Sequence, residues 1–328
     1  MIVVRAPLRL SIGGGGTDLP FYSSKFGGSL VSAAINKYNY IIVEKRDFYD
    51  EYLIRYSKTE IVKDVKDIKH TRIKAALEYL GINEPLEITA IADVPAGTGL
   101  GNSSTFLVAL LKALHTYKRE DVSAKKLAEE AAEIEMKILN EPIGKQDQYL
   151  AAFGGLLNLE IDNAGEVIAS PIDISYSTLE ELESNTLLFS TGVKRAAVEV
   201  IQDQKKNAES DEEKMKQMHI IKDIGLQIKQ ALQEGDTLKF GKWLNVHWET
   251  KKQFSKKMSN SDIDRYYEIA LKNGALGGKV VGAGGGGFLL LYCGENKKRL
   301  REAMEKEGLK ELPFRFDTEG CKIIYEGR

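Results

Sequence analysis

The chain has few of the residues that build disulfide frameworks and zinc sites. Among its 328 residues are two cysteines, Cys293 and Cys321, and four histidines without the spacing of metal ligands. Both cysteines lie in apolar contexts, which favours buried free thiols. No apolar run approaches the roughly 18 residues of a membrane span, and the N-terminal run carries arginines and no cleavage-site pattern. We therefore expect a cytoplasmic protein that does not enter a membrane.

The sequence also lacks an excess of charge of either sign. It has 46 Lys and Arg against 48 Asp and Glu, a formal net charge of −2. This balance argues against nucleic acid or an anionic membrane as the main partner, but it allows a local basic pocket for a small anion. The length predicts about two domains. The sequence leaves the oligomeric state open, with a homodimer as one option.

Predicted strands and helices alternate along the chain. The first 60 or so residues are rich in β-branched and aromatic residues and indicate strands, and a helix is predicted to end at Gly81. Alternating apolar residues predict a strand over 86–94, and helical spacing predicts a helix from residue 103 onwards. Long charged helices, a glycine-rich strand and two further strands make up the second half. We therefore predict an α+β fold of two domains, residues 1–180 and 181–328.

The run PAGTGLGNSST, residues 95–105, leads from a predicted strand into a predicted helix. Glycines let the backbone approach a ligand closely, and a helix N-terminus offers unpaired amides and about half a positive charge to an anion. Serine hydroxyls can bind phosphate or a hard cation such as Mg²⁺. The run matches neither GxxxxGK[ST] nor GxGxxG. A phosphate-binding loop is therefore one interpretation, and a glycine-rich turn with a serine cap is the other.

Two more glycine clusters lie near the two ends of the chain, so that residues 11–20, 95–105 and 278–292 are the first, second and third glycine clusters in chain order. In SIGGGGTDLP, residues 11–20, Asp18 could accept hydrogen bonds from sugar hydroxyls and Thr17 could donate one, with a tight β-turn as the alternative. In GKVVGAGGGGFLLLY, residues 278–292, the glycines indicate close approach of another backbone or a ligand, with a bulged hairpin as the alternative.

Two carboxylates are candidates for chemistry. Asp147 is expected in a short loop next to Lys145 and Gln146, where it could act as a base or a charge organiser. Glu135, on a predicted amphipathic helix, could complete the ligands of a Mg²⁺ ion. An exposed loop aspartate and an ordinary carboxylate at the border of a helix are the alternatives.

Three stretches in this order, RAPLRL, PAGTGLGNSS and GAGGGGF, resemble the three motifs of the GHMP kinase family. The resemblance implies an N-terminal domain like domain 2 of ribosomal protein S5, a ferredoxin-like C-terminal domain and ATP-dependent phosphoryl transfer. APLRLSIGGGGTDLP aligns without gaps with a galactokinase segment, which puts Arg9 on the active-site arginine and Asp18 on a sugar-binding aspartate. IGKQDQYLAAFGG and STGVKRAA are most similar to family members that phosphorylate the anomeric hydroxyl of D-glycero-D-manno-heptose 7-phosphate, and to fucokinase modules.

The resemblance implies a role for each candidate. Asp147 would accept the proton of the sugar hydroxyl or only orient it, and Arg9 would hold Asp147 ionised and stabilise the transferred phosphoryl group. Ser103 and Glu135 would hold Mg²⁺, although Asn102 stands where the family usually has its first serine. The implied ATP-binding residues are Pro95, Gly97, Gly99, Leu100, Gly101, Asn102, Ser103 and Ser104.

The sugar would lie between the first and third glycine clusters. A phosphate on the sugar would need its own cations, for which Lys194, Arg195 and Lys251 are candidates, with plain surface charge as the alternative for each. The implied substrate-binding residues are Gly15, Gly16, Thr17, Asp18, Lys145, Gln146, Arg195, Lys251, Gly284, Gly285 and Gly286.

Other functions fit parts of the sequence. A fucokinase, another sugar 1-kinase or a mevalonate-pathway kinase would share the motifs, and the GGGTD segment favours a polyol sugar over mevalonate. A non-catalytic sensor of ATP and sugar would not need Arg9, Asp147 and Ser103 together. RNA binding through a domain like that of protein S5 fits poorly with the nearly neutral charge.

Overall fold

The computed structural model describes residues 1–193, 197–255 and 257–327. Its strands, in chain order, are β1 (Ile2–Gly13), β2 (Gly28–Lys45), β3 (Tyr52–Arg55), β4 (Thr59–Val62), β5 (Leu86–Ala92), β6 (Leu156–Ile161), β7 (Val167–Pro171), β8 (Thr186–Ser190), β9 (Gly277–Val280), β10 (Phe288–Tyr292), β11 (Lys310–Glu311) and β12 (Lys322–Glu326). The α-helices are α1 (Pro20–Phe26), α2 (Thr71–Leu80), α3 (Asn102–Tyr117), α4 (Ala124–Glu133), α5 (Gln146–Phe153), α6 (Tyr176–Asn185), α7 (Ala197–Ser210), α8 (Glu212–Gln233), α9 (Thr237–Phe254), α10 (Ser261–Lys272) and α11 (Lys297–Lys306).

The first sheet has eight strands around the long strand β2. Its main path runs β12-β1-β2-β5-β3-β4, while β6 pairs with the first part of β2 and β7 pairs with β6. All pairs are antiparallel except β3 with β5. Because antiparallel strands and separate helices dominate, the α+β prediction is confirmed.

The second sheet is antiparallel and has the order β11-β8-β10-β9. One of its faces packs with α10 and α11 around Phe189, Trp248, Tyr267 and Leu289. Its other face shares a core with β1, in which Leu8 and Leu10 join Leu290 and Tyr292. The two sheets are therefore joined by continuous apolar packing. None of the helices in the described ranges is long and apolar enough to cross a membrane.

The C-terminal strand belongs to the first sheet, although the sequence prediction placed it in the second domain. Ile2 and Glu326 are register partners in the β1–β12 pair. A free edge on β1 would expose unpaired backbone groups, and β12 covers that edge. The division at residue 180 otherwise stays a prediction.

Helix α3 lies in the core of the N-terminal half, where it packs with α2, α4, α5 and the first sheet. Its residues from Ser104 to Leu111 are all buried. The neighbouring helix ends follow the sequence: Gly81 ends α2 with φ +64°, and the Ser123 hydroxyl accepts a hydrogen bond from Lys126 N at 3.2 Å. This packing fixes the N-terminus of α3, which leads directly from the second glycine cluster.

Two local predictions were wrong, and one helix was not predicted. Asp147 lies in the first turn of α5, because Tyr149 to Ala152 are buried and hold this segment as a helix. The strand predicted across the third glycine cluster ends at Val280, and Gly282, Gly284, Gly285 and Gly287 have positive φ, which a strand does not allow. Helix α6 was not predicted, since its sequence, YSTLEELESN, has few apolar residues.

Candidate active site

The three glycine clusters meet at one cavity of about 460 Å³. Its wall comes from the end of β1, the start of α3, the start of α5, the last turn of α9 and the loop between β9 and β10. The structure therefore brings together residues that are up to 277 positions apart in the chain, from Arg9 to Gly286. The predicted site residues that line the cavity are Arg9, Gly15, Gly16, Asp18, Gly97, Gly99, Gly101, Asn102, Ser103, Ser104, Glu135, Gln146, Asp147, Lys251, Gly284 and Gly286.

Arg9 and Asp147 form a bidentate ion pair at the centre of the cavity. Arg9 Nε donates to Asp147 Oδ1 at 2.7 Å, and Nη2 donates to Oδ2 at 2.9 Å. Arg9 Nη1 donates to the backbone oxygen of Gly99 at 2.5 Å. The arginine therefore joins the candidate catalytic carboxylate to the second glycine cluster. The planar guanidinium fixes the orientation of both partners.

The second glycine cluster presents the open end of α3 to the cavity. Gly97, Gly99 and Gly101 have φ values of +78°, +80° and +77°, which favour glycine over other residues. Gly101 is the N-cap residue and has no side chain to cap the first turn. The amides of residues 102–104 are therefore available to an anion, and the N-terminus of α3 adds its positive dipole.

The third glycine cluster packs on the second through backbone atoms. A Cβ on Gly99 would lie 2.4 Å from the Val281 oxygen, and a Cβ on Gly287 would lie 2.3 Å from the Thr98 oxygen. Such contacts are possible only between glycine-rich backbones. The prediction that the third cluster marks close approach of another backbone is confirmed.

Asp18 lies against the start of α5, where the first glycine cluster forms the wall of the cavity. Its Oδ2 accepts a hydrogen bond from Gln146 N at 3.3 Å, and a Cβ on Gly144 would clash with the carboxylate at 2.0 Å. Burial, and then the charge of Asp147, raises the pKa of Asp18. A neighbouring cation or a set of hydroxyl donors would stabilise the charged form.

Lys251 brings a buried ammonium to the same side. It is 5% exposed, and a Cβ on Gly15 would lie 3.7 Å from its Nζ. Burial lowers its pKa to about 8, and the charge of Asp18 opposes this effect. Among the cations on the described cavity wall, Arg9 and Arg72 are paired with carboxylates, whereas Lys251 forms no ion pair with a described residue.

Glu135 supplies a buried carboxylate at the other end of the cavity. It lies in a π-helical turn, Ile134–Ile138, that continues α4, and such turns are frequent at functional sites. Arg72 Nε donates to its Oε1 at 3.0 Å, and Gln148 Nε2 donates to its Oε2 at 2.6 Å. Burial raises the pKa of Glu135, and Arg72 opposes this effect.

The oxygen atoms around Glu135 suit a hard divalent cation. The cavity wall here carries the Ser103 and Ser104 hydroxyls and the carboxylates of Glu135 and Glu141. Each carboxylate oxygen keeps a lone pair beside its bond to Arg72 or Gln148. Oxygen ligands of this kind are those that Mg²⁺ takes. The residues therefore fit the predicted Mg²⁺ site.

Five predicted site residues do not line the cavity: Thr17, Pro95, Leu100, Lys145 and Gly285. The Thr17 hydroxyl is buried, 2.8 Å from Gly14 O, and Lys145 Nζ donates to Glu129 Oε2 at 2.7 Å. Leu100 is buried in the core shared by the two sheets. Lys194 and Arg195 lie outside the described residues, so their predicted role stays a prediction.

The sequence analysis missed several polar residues of the cavity wall. Arg72 joins Glu135 to Glu141, but its sequence, IKHTRIK, looks like an ordinary helix. Gln204 comes from α7, in one of the long charged helical segments of the second half. Ser11, in contrast, lies inside the first glycine motif and could have been named from it. These contacts depend on which helix faces are buried, which the motifs do not show.

Comparisons with known proteins agree with this geometry. The family model described as GHMP kinases N terminal domain matches residues 68–155, and the model described as GHMP kinases C terminal matches residues 228–310. A D-glycero-alpha-D-manno-heptose 7-phosphate kinase of Campylobacter jejuni is 34% identical over 98% of this chain and 98% of the relative. An L-fucokinase/L-fucose-1-P guanylyltransferase of Bacteroides fragilis is 26% identical over 90% of this chain and 35% of its own length.

Solved structures have the same fold over the whole chain. A D-glycero-D-manno-heptose 1-phosphate kinase from Bacteroides thetaiotaomicron superposes with a TM-score of 0.83 at 28% identity, covering 100% of both chains. A galactokinase of Lactococcus lactis, crystallised with galactose, superposes with a TM-score of 0.77 at 17% identity, covering 98% of this chain and 94% of its own. With two family models in the right order and a relative that matches from end to end, the chain belongs to the GHMP kinase family.

Proposed function

We propose that this protein transfers the γ-phosphoryl group of ATP to the anomeric hydroxyl of D-glycero-D-manno-heptose 7-phosphate. The bond between the anomeric oxygen and phosphorus forms while the bond between that phosphorus and the β–γ bridging oxygen breaks. The products are the 1,7-bisphosphate and ADP, and the hydroxyl proton leaves to a carboxylate or to water.

The contact that carries this proposal is the one between Arg9, Asp147 and Gly99. One guanidinium bonds a carboxylate and the glycine loop at the open end of α3. A phosphate on that loop would therefore lie beside the carboxylate that receives or orients the attacking hydroxyl. A phosphoryl-transfer site needs this arrangement, because transfer depends mainly on positioning and charge stabilisation.

Each residue then has a definite task. The amides of residues 102–104 bind phosphates of ATP, and Arg9 balances the charge that develops on the transferred γ-phosphoryl group. Asp147 keeps a free lone pair on each oxygen beside its bonds to Arg9, so it can still accept a bond from the sugar hydroxyl. Glu135 and Ser103 would hold Mg²⁺, which neutralises charge on the β- and γ-phosphates when bound. Asp147 would accept the proton of the sugar hydroxyl or only orient that hydroxyl, since an anomeric hydroxyl is more acidic than an ordinary alcohol.

The substrate class follows from the sugar side of the cavity. Asp18 is placed to accept bonds from sugar hydroxyls, and Lys251 provides an ammonium without a described carboxylate partner. An unpaired buried ammonium favours an anionic substrate group. This supports a sugar phosphate over a neutral sugar, as does the similarity to the Campylobacter jejuni heptose 7-phosphate kinase.

A second candidate differs in the position of the phosphate. The similar Bacteroides thetaiotaomicron structure is called a heptose 1-phosphate kinase, whereas the Campylobacter relative is called a 7-phosphate kinase. If the first name describes the substrate, transfer would occur at another hydroxyl. The nature of the product therefore decides between the two.

The test is an assay of ATP consumption with heptose 7-phosphate, heptose 1-phosphate, fucose, mannose, galactose and mevalonate. We expect turnover with heptose 7-phosphate, and a product whose anomeric proton couples to the new phosphorus in NMR spectra. Turnover restricted to heptose 1-phosphate would support the second candidate. Turnover restricted to fucose or mevalonate would overturn the heptose assignment, and no turnover with any of them would leave the sensor alternative.

A further inference from the structure

Gln204 is a buried polar residue on an exposed helix. It is 2% exposed, whereas its neighbours Gln202, Lys205 and Lys206 on α7 are exposed. Its side chain lines the cavity from the side of the C-terminal half. Burying a glutamine is unfavourable unless its amide group is hydrogen-bonded, so its placement needs an explanation.

One half of its amide group is already bonded. Nε2 donates to the backbone oxygen of Ala283 at 3.3 Å and lies 3.9 Å from the sulfur of Met258. A carbonyl oxygen can only accept, so the NH₂ group must face Ala283 and the amide oxygen must face the other way.

The amide oxygen of Gln204, Oε1, faces the first glycine cluster. A Cβ on Gly16 would lie 3.5 Å from Gln204 Oε1, and Gly16 and Asp18 both line the cavity there. No donor among the described residues is bonded to this oxygen, which leaves an acceptor beside the sugar side of the cavity. Ionised phosphate oxygens are acceptors only and could not bond it, whereas a hydroxyl can donate to it.

We propose that Gln204 is a specificity-determining residue that accepts a hydrogen bond from a hydroxyl of the sugar substrate. This deepens the proposed function and rests on it, because it takes the cavity to be a sugar kinase site. The bonded hydroxyl lies on the part of the sugar next to Gly16 and Asp18. A sugar without that hydroxyl would leave the amide oxygen unpaired in a closed site, so it would be rejected.

The same residue couples the sugar to the nucleotide side. Gln204 bonds Ala283 in the third glycine cluster, and that cluster packs on the second through Gly99 and Gly282. A sugar hydroxyl that bonds the Gln204 amide would therefore also restrain the loop of the third glycine cluster, which packs on the second. Gln204 contacts this loop, whereas Gln202, Lys205 and Lys206 on α7 are exposed.

The experiment compares Gln204→Met with wild type on the best substrate and on a series of its analogues that each lack one hydroxyl. We expect the KM for the parent sugar to rise about 3- to 10-fold, the range of one neutral hydrogen bond, while the KM for ATP changes less than twofold. The increase in sugar KM of Gln204→Met over wild type should vanish for one analogue only, the one that lacks the bonded hydroxyl. Gln202→Met, the same change at an exposed position of α7, is the matched control and should behave like wild type.

Two results would overturn the proposal. An equal loss on every analogue would mean that Gln204 acts only by supporting the loop, and an unchanged sugar KM would mean that it makes no substrate contact. A thermal melt of Gln204→Met that matches wild type separates recognition from a folding defect. The series can be run on whichever sugar the enzyme phosphorylates, so failure of the heptose assignment is recognised separately.

Discussion

Arg9 and Asp147 are 138 residues apart in sequence, yet two parallel hydrogen bonds of 2.7 and 2.9 Å join them. The side chain of Arg9 is 6% exposed and that of Asp147 is 26% exposed. The buried arginine therefore holds the carboxylate, and part of the carboxylate remains accessible from the cavity. Strand β1 therefore sets the orientation of a residue on α5. This arrangement is rigid because both elements lie in packed layers.

Replacing Asp147 by Asn should lower kcat by about 10²-fold or more, the usual size of a general-base contribution. The amide would keep the shape of the side chain but would lose the charge that pairs with Arg9. ATP binding should persist, because the amides of residues 102–104 are untouched. Steady-state kinetics and a separate ATP titration measure the two effects. Unchanged turnover would remove Asp147 from the mechanism.

The motifs predicted their own residues of the cavity wall, but not the polar residues that other segments add to it. Arg9, Asp147 and the glycines of residues 97–101 could be assigned because each motif carries its own chemistry in a short stretch. Arg72 and Gln204 could not, because their place on the cavity wall depends on which face of a helix is buried, and that is decided by packing between distant segments. Thr17 shows the opposite error, since a motif residue is bonded to its own turn at Gly14.

The fold class followed from alternating strand and helix patterns, but two long-range features did not. Strand β12 pairs with β1, and nothing in the sequence CKIIYEG indicates which sheet it joins. Asp147 was expected in a loop because Gly144 precedes it, yet burial of Tyr149 and Leu150 makes the segment helical. In both cases tertiary contacts overrode the local signal.

Gly99→Ala should impair the protein much more than Gly97→Ala. The two glycines have similar φ values, +80° and +78°, so the backbone strain of about 1–2 kcal/mol is shared. A Cβ on Gly99 would lie 2.4 Å from the Val281 oxygen, whereas a Cβ on Gly97 meets nothing within 4 Å. The difference in thermal stability and in KM for ATP therefore measures the contact between the loops. Equal effects would mean that this contact contributes nothing.

Glu135→Gln should weaken the response of the enzyme to Mg²⁺. Removing one anionic ligand should raise the Mg²⁺ concentration for half-maximal activity by about tenfold or more. Glu133→Gln is the control, because Glu133 lies on the same helix but does not line the cavity. The measurement is a Mg²⁺ titration at fixed ATP, repeated with Mn²⁺. If both variants gave the wild-type curve, Glu135 would have only a structural role as the partner of Arg72.

Lys251 should make the binding of a phosphorylated sugar depend on pH on the alkaline side. Burial lowers the pKa of its ammonium to about 8, with Asp18 opposing and Arg9 adding to the effect. The nearby Lys279 and His247 also have pKa values well below their ordinary values because they are buried, so the Lys251→Met variant is needed to separate Lys251 from Lys279. Burial, and then the charge of Asp147, raises the pKa of Asp18.

The sign follows from the charge. Below pH 8 Lys251 is protonated and attracts the phosphate of the sugar, and above pH 8 it becomes neutral. The value of kcat/KM for the sugar phosphate should therefore fall as pH rises through about 8. Lys251→Met should lower kcat/KM for the sugar phosphate at neutral pH and remove this fall. With the corresponding sugar without a phosphate, the wild-type enzyme should show no alkaline fall, and Lys251→Met should leave kcat/KM unchanged. An alkaline fall that survives in Lys251→Met would assign the titration to another group and leave Lys251 without a part in phosphate recognition.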